Sequence, residues 1–359
     1  MRWDNLRLDS TERDVPGPGG TLPLIERNAV VRTFDTPGFR GMTFYEVQAK
    51  SIVSEVPKSS RMMFRWTINP YRGCQHQCVY CFARNTHTYL ELDAGRDFDT
   101  KVVVKVNAPE LLRAKLASPG WRGEHIAMGT NVDCYQRAEG RYKLMRGIVG
   151  ALRDAANPFS ILTKGTLILR DLDLLLSAAE VTSVGLNVSA GFLDEDLWRA
   201  IEPGAPAPRR RLDVCAAFGD AGLRCGVLMG PIVPFLSDSP SQLAAAVRQA
   251  AAAGAAHVTP IVLHLRPGSR EWFLGWLREA HPELVPRYAE LYGRGAYARK
   301  EYQARITGTV RELAEKYGVG RGAAIPRGDE SREPGPRGPV AASGPGHPAP
   351  VQHEQLTLL

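Results

Sequence analysis

Cys74, Cys78 and Cys81 fall within eight positions of NPYRGCQHQCVYCFAR (residues 69–84), among aromatic and polar side chains. Three thiols so close together are metal-binding chemistry. A structural zinc ion wants four ligands, usually drawn as two spaced pairs. Here His76 is the only nearby fourth donor, and neither a second CxxC nor an HxxxH follows. A closed Cys3His zinc site is one reading. A cubane iron–sulfur cluster is the other: it normally takes four thiolates, so three leave one iron without a protein ligand. An open coordination position marks a catalytic rather than a structural metal site. Cys134, Cys215 and Cys225 are scattered and read as core thiols, which pack as small hydrophobes. One metal site is the economical count.

The chain around them has 359 residues, ample for a large buried core. Hydrophobic residues make up 44% and charged residues 23%, as in ordinary globular proteins. No apolar run approaches the roughly 20 residues of a membrane span. The opening MRWDNLRLDSTERD lacks the apolar stretch of a secretory signal. A cytoplasmic location without membrane association is expected. In that reducing compartment clustered thiols are ligands or catalysts rather than disulfides.

The elements that must position the cysteines alternate between two periods. Residues 65–71, 124–132, 158–164, 181–190, 222–233 and 256–265 are short apolar runs. Between them, 84–92, 109–117, 139–156, 166–178, 207–221 and 239–253 read as helices. Strands alternating with helices imply βαβ units and a parallel sheet, and strands buried on both faces should be nearly continuous apolar runs. The expected fold is α/β: a partial (β/α)6 parallel barrel over residues 61–265, with its site at the carboxyl ends of the strands. Residues 1–60, with a strand over 42–53, read as an N-terminal extension. Residues 266–320 read as a helical C-terminal segment. Residues 321–359 hold seven Pro and six Gly and are expected to be disordered.

CxxxCxxC with an aromatic before its last cysteine resembles the radical S-adenosylmethionine superfamily. The resemblance implies that Cys74, Cys78 and Cys81 hold a [4Fe-4S] cluster whose open iron is chelated by S-adenosyl-L-methionine. Reductive cleavage of that cofactor then yields a 5′-deoxyadenosyl radical that abstracts hydrogen from a substrate. Tyr80 is the aromatic expected near the adenine. A longer match is similar to the spore photoproduct lyase-like, DNA repair photolyase-related branch. It runs through GTNVDCYQRAEG (129–140), ILTKG (161–165), LNVSAG (186–191), IEPGAPAPRRRL (201–212) and GVLMGPIVPFLSD (226–238). By position it makes Lys164 and Ser189 contacts of the methionine moiety, and an electron donor such as flavodoxin or ferredoxin is implied. That branch returns hydrogen to its product radical from a cysteine near the end of the second strand. Here Cys134 follows Asp133, and Thr130 stands nearer the expected place. Cys134 is thus a candidate hydrogen donor or a supporting thiol, packing is its plainer role, and thymine-dimer repair is not assigned.

Substrate class is less constrained. Net charge is +7, and residues 321–359 carry four arginines against four acidic residues, so the excess lies in residues 1–320. That favours nucleic acid, with a protein, peptide or metabolite as the rival substrate. A zinc-bearing nucleic-acid or clamp adaptor, with His76 as fourth ligand, is the rival from another class. Arg209–Arg211 reads as solvated surface rather than a phosphate site. Tyr288, Tyr292, Tyr297 and Tyr302, interleaved with Arg and Lys, suit either base stacking or packing on the barrel, and packing is preferred. Gln355–Leu359, QLTLL, resembles the peptide that bacterial repair proteins present to the sliding clamp, here on a flexible tether.

Overall fold

The computed structural model describes residues 29–57, 60 and 62–321. The strands are β1 (Val30–Arg32), β2 (Thr43–Val47), β3 (Val53–Glu55), β4 (Trp66–Ile68), β5 (Tyr71–Arg72), β6 (Lys101–Lys105), β7 (Ile126–Met128), β8 (Phe159–Thr163), β9 (Val184–Ser189), β10 (Cys225–Ile232), β11 (His257–Val262) and β12 (Gly320–Arg321). They form an eight-stranded sheet, ordered β12-β11-β10-β9-β8-β7-β4-β3, and a four-stranded sheet, β1-β2-β6-β5. In the larger sheet β4 and β7 to β11 are parallel in sequential order. These are the six expected strands. β4, β9 and β11 mix buried and half-buried side chains, while β7, β8 and β10 are buried almost throughout, as in FSILT of β8 and CGVLMGPI of β10. That continuous burial follows from helices covering one face and the barrel interior filling the other.

The covering helices include Ala108–Leu116, Leu144–Asp154, Leu172–Val181, Pro208–Asp220 and Pro240–Ala252. The last is set by a capping box, Ser239 accepting from the Gln242 N–H while the Gln242 side chain accepts from the Ser239 N–H. The helix expected over 139–156 divides at Lys143, whose φ is +53°. Buried Glu139 accepts the N–H of Met145 at 3.1 Å and so supplies the partner for a new helix start. The stretch 84–92 is a 3-10 run, Phe82–Leu90, in which Thr86 and Thr88 hydroxyls donate to carbonyls three residues back.

The N-terminal residues take part in both sheets. The expected strand over 42–53 is two strands: β2 pairs parallel with β6, and β3 pairs antiparallel with β4. Asn107 bridges the turn between them, its side chain accepting from Ala49 N–H and donating to Ala49 C=O. From the other end, helix Lys300–Lys316 leads to β12, which pairs parallel with β11. Gln355–Leu359 and the expected disordered tail beyond residue 321 lie outside the described residues. Among the described residues no helix is long and apolar enough to cross a membrane.

Candidate active site

The cysteine loop starts where β5 pairs antiparallel with β6. Gly73, at φ +85°, makes the turn where a Cβ would sit 2.7 Å from the Lys101 carbonyl. Three backbone contacts from two other segments then pin the loop. Cys74 N–H donates to Phe98 C=O (3.1 Å), Val79 N–H to Ile201 C=O (3.0 Å), and Gly204 N–H to His76 C=O (3.1 Å). Gln75 and Gln136 lock the near side: the Gln75 N–H donates to the Gln136 side chain, which donates to Gly73 C=O, while the Gln75 side chain accepts from Ala138 N–H. Arg84, wholly buried, donates to Cys78 C=O and makes a two-pronged contact with Asp99. A Cβ on Gly204 would meet the Gln75 carbonyl at 1.9 Å. Gly204→Ala should therefore displace the loop and lower iron bound per chain after anaerobic reconstitution well below wild type; wild-type iron loading would show that the loop gives way freely.

Cys74, Cys78 and Cys81 line one cavity of about 210 Å³ at the carboxyl ends of the parallel strands. Burial pushes all three thiols up, Cys78 to about 12, and negative charge on Cys78 or Cys81 would push Cys74 further. Such a trio is stable as thiolates only beside compensating positive charge. Among the described residues no three His, Cys, Asp or Glu side chains gather closely enough to grip a single metal ion. A cubane instead spreads three thiolates over three irons, and the donor set fits it. His76, the suggested fourth zinc ligand, has its Nδ1 3.4 Å from Asp133 Oδ2; burial outweighs Asp133 and lowers its imidazole to about 4.

Across the cavity stand Lys164, just beyond β8, and Ser189, at the end of β9. Lys164 Nζ donates to Ser189 Oγ at 3.0 Å, and Ser189 Oγ donates to Gly230 C=O at 2.8 Å. Asp133, missed in the sequence, fixes this wall by accepting from Lys164 N–H (2.6 Å), Thr163 Oγ1 (2.6 Å) and Tyr135 N–H (2.9 Å). Behind Lys164 lies a fully buried ion pair that the sequence also did not disclose. Glu202 accepts from Arg211 and from the Tyr80 hydroxyl, and Lys164 Nζ is 3.8 Å from Glu202 Oε1. Burial alone would raise the Glu202 carboxyl, but Arg211 first and Lys164 next hold it below its ordinary value. Arg211 also donates to Ser189 C=O. The arginine triplet is thus only partly surface: Arg209 and Arg210 are exposed, while Arg211 is 1% exposed.

Tyr80 lines the cavity with its hydroxyl tied to Glu202. Cys134, for which packing is the plainer reading, stands apart from these residues. It is fully buried and absent from the cavity wall; burial, then Asp133 and Glu139, raise its thiol. Thr130 and Asn131 occupy the wall instead. Of the four tyrosines, Tyr288 and Tyr292 are core residues donating to Pro234 and Leu263 carbonyls, and Tyr302 donates to Asp238. Tyr297 alone is exposed.

Six sequential parallel strands, a three-cysteine loop after the first and a cavity at their carboxyl ends define an α/β barrel enzyme built around a cofactor. Residues 68–247 match the radical SAM superfamily. A protein of Mycobacterium tuberculosis, known only as uncharacterized, is 48% identical over 317 residues, 88% of this chain and 93% of its own length. One from Methanocaldococcus jannaschii, likewise uncharacterized, is 33% identical over 174 residues, 48% of this chain and 62% of its own. The fold is shared with spore photoproduct lyase solved with bound AdoMet and dinucleoside spore photoproduct (TM-score 0.57, 15% identity, covering 72% of this chain and 76% of that one). The chain belongs to the radical SAM superfamily. It is an enzyme whose cofactors are a [4Fe-4S] cluster and S-adenosylmethionine.

Proposed function

We propose that Cys74, Cys78 and Cys81 hold the cluster, that Lys164 and Ser189 receive the methionine moiety of S-adenosylmethionine, and that Tyr80 flanks its adenine. The observation that carries this reading is that the cysteine loop and the Lys164–Ser189 pair face one cavity. When bound, the cofactors supply a carbon-centred radical, which no amino-acid side chain provides and which takes hydrogen from a substrate. The chain's own residues bind, orient and exclude water. The Lys164 ammonium and Ser189 hydroxyl suit a carboxylate. Asp133 fixes the backbone that carries Lys164. Leu228, Ile261, Val262 and Leu263 give the cavity an apolar side that keeps solvent from a reactive centre.

For the substrate we favour nucleic acid. Its support is the formal charge of +7 and a fold shared with an enzyme solved with a dinucleoside photoproduct. The reductant is an electron-transfer protein of the flavodoxin or ferredoxin kind. Reducing the iron-reconstituted protein with dithionite in the presence of S-adenosylmethionine should release 5′-deoxyadenosine. A chain carrying about four irons that releases none would overturn the reading. Lys164→Met removes a charge-assisted contact worth roughly 1.5–3 kcal/mol, so S-adenosylmethionine should bind about 10- to 100-fold more weakly. Calorimetry on the anaerobic protein reads this, and unchanged affinity would remove Lys164 from the binding wall.

A further inference from the structure

Two rings of the cavity wall, Phe82 and His264, each pair with a residue outside the lining, Arg266 and Tyr297 respectively. Phe82 follows the last cysteine, lines the cavity and stays 38% exposed. The Arg266 guanidinium lies 5.4 Å from its ring centroid. On the neighbouring side His264, also on the cavity wall, meets Tyr297 with centroids 4.6 Å apart and planes at 68°. Burial and then the Arg266 charge hold the His264 imidazole below its ordinary value. Tyr297 is 50% exposed, so its ring is open to a partner.

The loop that presents Tyr297 is built rather than loose. Leu265 N–H donates to Ala296 C=O at 2.8 Å, tying the loop to the segment that follows β11. Arg270 donates to the carbonyls of Gly295 (2.7 Å) and Gly293 (2.6 Å). The stretch GRGAYARK, 293–300, has three cations and no acidic residue, and Arg294, Arg299 and Lys300 are exposed. Planar rings at the mouth with cations beside them are the chemistry of an unpaired base flanked by phosphates: rings stack on bases, and cations meet the backbone. A paired base cannot enter such a mouth without leaving its stack.

We infer that Tyr297 and His264, with Phe82 and Arg266, form a base-stacking rim that presents one unpaired nucleobase of a single strand to the cavity. This rests on nucleic acid being the substrate class. The test is fluorescence anisotropy of a short labelled single strand, and of an abasic strand of equal length, with the full reconstituted chain. Tyr297→Ala should weaken the base-bearing strand about 10-fold, Tyr297→Phe should retain wild-type affinity, and the abasic strand should not distinguish Tyr297→Ala from wild type. Equal binding of the base-bearing strand by wild type and Tyr297→Ala overturns the rim and leaves the substrate class standing. A wild-type chain that binds neither strand at low salt overturns the substrate class, and the rim falls with it.

Discussion

Cys78→Ala should leave a folded chain that neither keeps its iron nor releases 5′-deoxyadenosine above background. Cys78 sits in the middle of the cysteine loop, and the loop's course does not depend on its thiol. Val79 N–H, His76 C=O and Cys78 C=O are held by Ile201, Gly204 and Arg84 through backbone atoms, all of which survive the substitution. Far-ultraviolet circular dichroism should therefore match wild type. Removing a direct ligand should cost more than the roughly 10- to 100-fold that outer partners of a metal site are worth. The internal comparison is Cys215→Ala. That thiol is fully buried on the helix Pro208–Asp220 and bonded to Cys225, away from the cavity lining, so iron and turnover should persist. A Cys78→Ala chain with wild-type iron and turnover would refute the assignment of the loop.

Glu202→Ala is expected to produce the largest loss of stability at the site. Both partners of the Glu202–Arg211 pair are 1% exposed, and removal of the carboxylate strands a guanidinium that cannot reach water. Breaking a buried pair from one side costs about 3–5 kcal/mol, or roughly 5–10 °C in melting temperature for a chain of this size. It also releases the Tyr80 hydroxyl and removes the carboxylate beside Lys164. Replacing both partners with apolar residues, Glu202→Leu with Arg211→Met, should recover most of the stability, since two matched apolar groups leave no orphan charge. It should not recover S-adenosylmethionine binding in full, because the Tyr80 hydroxyl and Lys164 both lose their carboxylate partner. Melting curves of cluster-free protein, paired with calorimetry on the reconstituted form, separate the two effects. A single variant that melts with wild type would mean solvent reaches Arg211.

The barrel was legible because each of its strands is a local signal. Runs such as FSILT and GVLMGPI are mainly apolar and too short for a helix, and both properties survive whatever lies elsewhere in the chain. The cysteines were legible for the same reason, by spacing alone, whereas Lys164 and Ser189 emerged only through resemblance. The strand Lys101–Lys105 was missed although Val102–Val104 are a β-branched run. Its parallel partner β2 lies nearly sixty residues earlier, and the intervening helical pattern drew attention away. Arg211 was hidden by its neighbours: three consecutive arginines look solvated until a turn through Pro206 and Pro208 aims the last one inward at Glu202. Asp133 carried no spacing signal. Its importance lies in partners at Tyr135, Thr163 and Lys164, brought together only when β7 and β8 align.

The backbone clamps on residues 73–81 give this enzyme a means of upkeep. Small zinc modules collapse when stripped, because the metal is what folds them. Here amide contacts from Phe98, Gln136, Ile201 and Gly204 stand independently of the inorganic part. If these cysteines hold the cube as proposed, its mould should outlast it, and a chain stripped by oxygen should regain turnover on receiving fresh iron and sulfide.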